Sequence, residues 1–129
     1  MLNNLKKILI VEDDGMLRKI LIDSFTTGYS VMDAADGEMA LQKVSFQEPD
    51  LIILDIMLPK LNGLDVLSKI RHDTNSKIAK TPVIIISNLS DQRDLETAKA
   101  MGIDGYYVKS TVSVEEIVAR IHQLLSKAA

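Results

Sequence analysis

The sequence predicts a doubly wound α/β domain in which a five-stranded parallel sheet is covered by five helices. Runs of four apolar residues occupy positions 8–11, 51–54 and 83–86. They are too short for helices and uniform enough for strands that are buried on both faces. A polar turn and then an amphipathic helical pattern follow each run. Strict alternation of strand and helix predicts a parallel sheet with right-handed crossovers and helices on both sides.

The first two strand–helix units are delimited by capping and turn residues. Asp14 follows the first strand and is a natural N-cap for the first helix, which the sequence at 26–28 ends. A weaker second strand over 29–35 closes at Asp36, and its helix ends before Pro49. The predicted inward residues are Met16, Leu17, Ile20, Leu21 and Phe25 in the first helix, and Met39, Ala40, Leu41 and Val44 in the second.

The remaining units follow the same rules. The turn at 62–63 precedes a third helix, and residues 71–81 are predicted to form a polar connection. Ser90 or Asp91 is expected to cap the fourth helix, which Gly102 ends before a more exposed strand over 104–108. The capping box over residues 113–116 then opens the last helix.

Composition restricts the class of protein. The chain has 129 residues, of which 47% are hydrophobic and 26% charged, with a net charge of −3. Because the 15 basic residues are scattered, direct binding to nucleic acid is not expected. The absence of cysteine excludes disulfides and thiolate metal sites, and no apolar run is long enough for a membrane span or signal peptide. We expect a single cytoplasmic domain over residues 1–129.

Chemically active side chains follow the predicted strands. Those side chains are Glu12, Asp13, Asp55, Ser87, Asn88 and Lys109. The carboxyl ends of parallel strands share one edge of a sheet, so these groups should converge there. Three carboxylates would repel one another without a proton or a cation, and oxygen ligands of this kind suit Mg²⁺. A hydroxyl and an ammonium suit phosphoryl oxygens, so the residues predict Mg²⁺-assisted transfer of a phosphoryl group to or from Asp55.

Four separated motifs in the same order resemble the receiver domain of two-component response regulators. They are the sequences LIVEDD at 9–14, DLIILDIMLP with NG at 50–63, PVIIIS at 82–87 and GYYVK at 105–109, and the DGE at 36–38 agrees as well. The resemblance covers about residues 7–125. It implies a flavodoxin-like (CheY-like) fold with sheet order 2-1-3-4-5.

The resemblance also implies a role for each acidic residue. Asp55 would be the phospho-acceptor, and Asp13 would bind Mg²⁺ directly. Glu12 would assist through water, and Met57 would contribute its backbone carbonyl. Mn²⁺ is a second candidate for the same site.

The groups that would respond to phosphorylation come from the last two strands. By resemblance, Ser87 is the switch hydroxyl, Lys109 the lysine that steadies the phosphoryl group, and Tyr106 the switch aromatic. If Ser87 moves toward a phosphorylated Asp55, an inward turn of Tyr106 fills the space it leaves. One local charge then biases a two-state element. Asn88 lies where it would contact the phosphoryl group or control access to it.

The partners are implied in the same way. A histidine kinase or phosphotransfer protein would supply the phosphoryl group, and slow self-catalysed hydrolysis would remove it. Apart from these reactions at Asp55, the protein is not expected to be an enzyme. An output protein would read the face made by the fourth helix, fifth strand and fifth helix, where the charges also permit a homodimer.

The chain departs from the family pattern after two of its motifs. The family usually has proline after the lysine, often with a cis bond, whereas Ser110 stands here. A cis bond at a non-proline residue costs about 2.5–4 kcal/mol, so the bond is either trans or strained. Asn88 is larger than usual, and the apolar Met57 favours a longer-lived phosphoryl group. His72 and His122 are predicted to lie on polar helix faces without partners.

Two other functions stay open at this point. One is a receiver-like scaffold that binds its partner without phosphorylation, which the departures at Ser110 and Asn88 allow. The other is a flavodoxin-like cofactor binder or an aspartyl phosphatase. Such phosphatases typically have a second acid two residues after the nucleophile, where Met57 stands in this chain.

Overall fold

A computed structural model describes residues 5–88 and 92–126, which form five strands and six helices. The strands are β1 (Lys7–Val11), β2 (Ser30–Ala34), β3 (Leu51–Asp55), β4 (Val83–Ser87) and β5 (Gly105–Val108). The helices are α1 (Gly15–Phe25), α2 (Gly37–Gln47), α3 (Gly63–Arg71), α4 (Ser76–Ala79), α5 (Gln92–Met101) and α6 (Val114–Ser126). The predicted fourth and fifth helices therefore correspond to α5 and α6.

All strand pairs are parallel, and the sheet order is β2-β1-β3-β4-β5. The predicted doubly wound topology is thereby confirmed. Val11 pairs with Leu54, Asp55 with Ile86, and Ser87 with Val108, so the strands end nearly level. Any polar group directly after a strand consequently lies at this carboxyl edge of the sheet.

The three central strands are buried on both faces, as their uniform apolar runs predict. Residues 8–11, 51–54 and 83–86 are all at most 1% exposed. Alternate residues enter two clusters: Leu9 and Val11 pack in one, and Ile8 and Ile10 in the other. Each fully buried Leu or Ile stabilises the fold by about 2 kcal/mol, so the carboxyl edge rests on a rigid layer.

The capping predictions that fall on described residues are confirmed. Asp14 accepts from the backbone N–H groups of Met16 and Leu17 at 3.0 and 3.3 Å. In the capping box, the Ser113 hydroxyl oxygen accepts from the backbone N–H of Glu116 at 3.1 Å. Gly102 follows α5 with a φ of +97°, a conformation that favours glycine. Ser90 and Asp91 lie outside the described residues.

The first two helices bury narrower stripes than predicted. Met16, Ile20 and Met39 are 77%, 45% and 42% exposed, so the prediction that they point inward was wrong. Leu21 and Phe25, one turn apart, already fill the contact between α1 and the sheet. Helical periodicity identifies a face, but the width of the buried stripe depends on which neighbours cover it.

The structure adds a helix to the five that were predicted. Residues 71–81 contain α4, a single turn of four residues capped by Asn75, whose side chain accepts from the backbone N–H of Lys77 at 2.9 Å. Ile78 anchors the turn in the core at 4% exposure. Within the described ranges, no helix has the length and apolar character needed to cross a membrane.

The two histidines have partners, contrary to prediction. His72 Nδ1 lies 2.7 Å from the carbonyl oxygen of Ser68. His122 Nδ1 lies 2.5 Å from the hydroxyl of Tyr29, and the two rings are 5.3 Å apart. Both histidines therefore take part in local packing of the fold.

Candidate functional site

Four predicted residues meet at the carboxyl edge of the sheet because each ends or directly follows a strand. Asp55 and Ser87 are the last residues of β3 and β4, and Glu12 and Lys109 directly follow β1 and β5. Backbone bonds extend the ladder past two strand ends: Glu12 N–H donates to Ala34 O at 3.0 Å, and Lys109 N–H to Ser87 O at 2.8 Å. Glu12, Asp55 and Ser87 are at most 1% exposed.

Lys109 bridges two buried carboxylates. Its Nζ lies 2.8 Å from Glu12 Oε1 and 2.8 Å from Asp55 Oδ2. The other oxygen of each carboxylate accepts from the backbone: Glu12 Oε2 from Asp14 N–H at 3.0 Å, and Asp55 Oδ1 from Met57 N–H at 3.0 Å. Each acidic side chain is therefore held at both oxygens.

Asp13 completes a group of oxygen ligands suitable for a cation. Carboxylate oxygens of Glu12, Asp13 and Asp55 all lie within 4.8 Å of one another, and Asp13 is exposed to solvent. Three carboxylates against the single ammonium of Lys109 leave an excess of negative charge. Two buried acids with one solvent-facing acid match the preference of Mg²⁺ for a few carboxylates and several waters. The residues present therefore fit a divalent cation.

Burial sets the electrostatics of this site. Removal from water, aided by the negative charge of Asp55, raises the pKa of Glu12 to about 7. The ion pair with Lys109 and the hydrogen bond from the Asp14 backbone oppose that rise. Burial also disfavours the charge on Lys109, but its bonds to Asp55 and Glu12 outweigh this, and the pKa of Lys109 is raised. Lys109 therefore stays charged, and the burial and crowding of the carboxylates are expressed in the raised pKa of Glu12.

The loop after β3 folds closely against the backbone of Asp55. Gly63 N–H donates to Ile56 O at 2.8 Å, and a Cβ on Gly63 would lie 2.2 Å from the carbonyl oxygen of Asp55. Only glycine fits at that position. The Met57 side chain is 54% exposed, at the surface of this loop two residues after Asp55.

Comparison with known families decides what kind of domain carries this site. The sequence profile described as the response regulator receiver domain matches residues 8–122, which is most of the chain. The chain belongs to the receiver domain family. The predicted resemblance is therefore confirmed, and the family consists of regulators rather than conventional enzymes.

Named relatives agree with this assignment. The chain is 39% identical over 125 residues to a probable transcriptional regulator, ycf27, of Cyanophora paradoxa, covering 96% of this chain and 50% of that protein. It is 34% identical over 124 residues to the alkaline phosphatase synthesis transcriptional regulatory protein PhoP of Bacillus subtilis, covering 95% and 50%. The chain thus spans about half the length of these curated relatives.

Solved structures support the same conclusion. The receiver domain of the Francisella response regulator 1452 superposes with a TM-score of 0.84 and 28% sequence identity. The likeness covers 96% of this chain and 99% of that one. The fold of this receiver domain is therefore that of a solved family member over nearly its whole length.

The remaining predicted residues of the receiver domain lie on β4 and β5 and after them. Ser87 is fully buried, and Asn88, the next residue, is exposed. Tyr106 pairs in register with Ile85, is partly buried, and packs against the core cluster that contains Val11 and Leu54. Tyr106 is therefore on the face of the sheet that this cluster covers, and β4 lies between its strand and that of Asp55.

The substitution of serine for proline after Lys109 does not redirect the lysine. Ser110 is exposed, and the described residues contain no cis peptide bond, so the Lys109–Ser110 bond is trans. Thr111 and Val112 N–H groups both donate to Val108 O at 3.0 Å, which turns the chain into the loop before α6. Lys109 Nζ still contacts both Glu12 and Asp55.

Two residues beside the site, Arg18 and Asp33, were not predicted from the sequence. Arg18 on α1 donates from Nη1 to Glu12 O at 2.7 Å, and its Nε lies 3.0 Å from Asp33 Oδ2. A signal for Arg18 existed, because it lies four residues after the cap Asp14 and helical side chains lean toward the helix N-terminus. Asp33 lies within β2, where no local pattern distinguishes it from a solvent-facing strand residue.

Proposed function

We propose that this receiver domain is a phosphorylatable signalling switch in which Asp55 accepts a phosphoryl group from a histidine kinase or a phosphotransfer protein. The observation that carries the proposal is the environment of Asp55. Its side chain is 1% exposed, bonded to Lys109 Nζ at 2.8 Å, and grouped with the carboxylates of Glu12 and Asp13. A purely structural aspartate at a strand end would not require two further acids beside it.

The transfer would be a displacement at phosphorus. An oxygen of ionised Asp55 attacks the phosphorus of a phosphohistidine, forming a P–O bond as the P–N bond breaks. The electron pair of the P–N bond returns to the imidazole nitrogen. Lys109 remains charged and offsets the negative charge on the phosphoryl oxygens, which is the main contribution a protein makes to such reactions.

Glu12, Asp13 and Asp55, together with the backbone carbonyl of Met57, are the residues that would hold Mg²⁺ or Mn²⁺. When bound, that ion would supply charge neutralisation for the phosphoryl oxygens. A divalent cation would be needed because Lys109 alone leaves the three-carboxylate group negative, and an incoming phosphoryl group would add to that charge. Hydrolysis of the phosphoryl group at Asp55 would be slow and self-catalysed.

The response to phosphorylation would pass through β4 and β5. Asp55 pairs with Ile86, so the next residue along β4, Ser87, is one step from the phosphoryl group and would donate its hydroxyl to it. Movement of Ser87 would leave room for Tyr106 to turn further inward, with Asn88 at the entrance. The α5–β5–α6 face would then change for an output protein or a second copy.

The wider setting is part of the same proposal. Residues 1–129 would form one receiver domain with a core of about 7–125, acting in the cytoplasm and not contacting nucleic acid itself. The charge supports the absence of nucleic-acid binding, since the net charge is −3 and the 15 basic residues are spread along the chain. A kinase or phosphotransfer protein upstream and an output protein downstream would be its partners.

Intact-mass spectrometry after incubation with phosphoramidate tests the proposal. In the presence of Mg²⁺ we expect a mass gain of one phosphoryl group. The gain should be absent with Asp55→Asn and strongly reduced with Asp13→Asn or with a chelator. An unchanged mass in a protein that is shown to bind Mg²⁺ would reject phosphorylation. The domain would then be interpreted as an adaptor that binds partners without it.

A further inference from the structure

Arg18 connects the metal-binding loop to two elements of the fold. Its Nη1 donates to the carbonyl oxygen of Glu12 at 2.7 Å, and its Nε lies 3.0 Å from Asp33 Oδ2 on β2. The guanidinium side chain is only 24% exposed. Asp33 is itself held, since its backbone carbonyl accepts a hydrogen bond from Lys43 Nζ. The Asp33 carboxylate is 43% exposed, so it braces Arg18 from the solvent side, while the backbone that carries it is fixed in β2.

The atom that Arg18 binds matters for the site. The Glu12 carbonyl belongs to the peptide group that joins Glu12 to Asp13, and these residues carry two of the three clustered carboxylates. Glu12 is buried and has further contacts with Lys109 and the Asp14 backbone. Asp13 is exposed, so the direction of its side chain depends mainly on the orientation of that peptide group.

We propose that Arg18, braced by Asp33, is a positioning residue for divalent-cation binding at Glu12, Asp13 and Asp55. This inference rests on the proposed function of that site. The guanidinium orients the Glu12–Asp13 peptide group so that the Asp13 carboxylate faces Asp55. Arg18 does not touch the phosphoryl group or the cation, and it acts through the backbone of the loop.

The sign of the effect separates positioning from simple electrostatics. Arg18 is a positive charge beside an acidic cluster, so its field alone opposes the binding of another cation. If only the field mattered, Arg18→Met would bind Mg²⁺ more tightly. If Arg18 positions the loop, the same substitution binds Mg²⁺ more weakly despite the lost repulsion.

Calorimetric titration with Mg²⁺ tests the proposal without measuring activity. For Arg18→Met we expect a Kd about tenfold higher than for the unmodified protein, the size typical of groups that orient metal ligands. Arg18→Lys keeps the charge but cannot make both contacts, so its Kd should also rise. The control is Lys19→Met, the neighbouring cation on α1, whose partner is Asp23 at 2.9 Å. Its Kd should be unchanged or slightly lower.

A second readout separates positioning from loss of structure. Phosphorylation by phosphoramidate at saturating Mg²⁺ should proceed at nearly the normal rate in Arg18→Met, with only the Mg²⁺ concentration dependence shifted. Asp33→Asn, which removes the brace and leaves Arg18 in place, should shift Kd in the same direction by less. If Arg18→Met does not fold, Arg18→Lys and Asp33→Asn carry the test.

The outcomes are distinct. An unchanged or lower Kd in Arg18→Met, or in both milder variants where that one does not fold, would overturn the positioning role while leaving the proposed function intact. Failure of the unmodified protein to bind Mg²⁺ would instead reject the proposed function itself. A raised Kd with an unaffected Lys19→Met control would establish Arg18 as a positioning residue.

Discussion

Charged side chains at the two edges of the sheet have opposite kinds of partner. At the carboxyl edge, Glu12 and Asp55 share the ammonium of Lys109, with Asp13 close by. At the amino edge, the Arg71 side chain bonds backbone carbonyl oxygens instead of carboxylates. Its guanidinium donates to Gly102 O at 3.0 and 2.8 Å, to Ala79 O at 3.0 Å and to Thr81 O at 2.8 Å.

The amino edge therefore contributes to the stability of the fold, whereas the carboxyl edge carries the candidate reactive groups. Arg71 satisfies carbonyl groups left at the ends of α4 and α5, and it does so although burial lowers its pKa. All four of its hydrogen bonds end on neutral backbone oxygens. The carboxyl edge instead keeps an excess of negative charge in a buried place, which costs stability and suits the cation that the proposed function requires.

The largest expected effect comes from removing the ammonium at the carboxyl edge. Lys109→Met should slow phosphorylation by about 100-fold, since it removes a preorganised charge. It should also lower the free energy of unfolding by about 3 kcal/mol, because Glu12 and Asp55 lose their shared partner. Phosphoramidate kinetics and denaturant unfolding measure the two effects. The control is Lys60→Met: the Lys60 side chain is exposed, its ion pair with Asp36 is 3.6 Å long, and its loss should change neither quantity by much. Equal effects of the two substitutions would contradict the role of Lys109.

The next effect concerns the amino edge and should affect stability alone. Arg71→Met leaves the carbonyl groups of Gly102, Ala79 and Thr81 without their donor, so the free energy of unfolding should fall by about 2–3 kcal/mol. The rate of phosphorylation, measured well below the melting temperature, should stay within about twofold of normal. Lys69→Met, at an exposed position on the same helix, is the matched control. A large loss of phosphorylation in folded Arg71→Met would erase the distinction between the two edges.

The pH dependence of stability should reveal the crowded acids. The pKa of Glu12 is raised from its ordinary value of 4.5 to about 7 in the folded protein, so the folded state binds more protons between these values. Linkage then requires the stability of the metal-free protein to fall as pH rises through that window and to level off above it. Denaturant unfolding in the presence of a chelator measures this decline. Glu12→Gln should flatten the curve, and an unchanged slope would show that Glu12 is not the group responsible.

The smallest effect is expected at the entrance to the site. Met57→Asn places a hydrogen-bonding group two residues after Asp55, where it can orient a water for attack on the phosphoryl group. Loss of phosphoryl label should accelerate several-fold, while stability changes little because the side chain is 54% exposed. Met16→Asn, at a 77% exposed position on α1, is the control. A slower loss of label in Met57→Asn would contradict the proposed influence of this position on phosphoryl lifetime.

Most of the carboxyl edge could be predicted from the sequence because a parallel sheet brings the carboxyl ends of its strands together. Once the apolar runs are recognised as buried strands, residues directly after them must share an edge. Asp55, Glu12 and Lys109 therefore meet without any knowledge of side-chain contacts. The trans bond at Ser110 leaves Lys109 in contact with both acids, so a local departure from the family pattern did not disturb that result.

The features that escaped prediction depend on backbone partners or on neighbouring elements. Arg71 binds carbonyl oxygens, which carry no signal in the sequence, and the only signal for Arg18 was its position four residues after the cap Asp14. The helix α4 has four residues, too few to show a periodic pattern. Met16 and Ile20 fit the helical period of α1, yet they are exposed because the sheet covers only the stripe with Leu21 and Phe25.

Location of the phosphoryl group tests the central claim most directly. Phosphorylated protein can be reduced with borohydride, which converts an aspartyl phosphate to homoserine, and the altered residue can be found by tandem mass spectrometry. We expect homoserine at position 55, dependent on Mg²⁺ during phosphorylation. A phosphoryl group trapped at another acid, or none at position 55 after complete reaction, would contradict it.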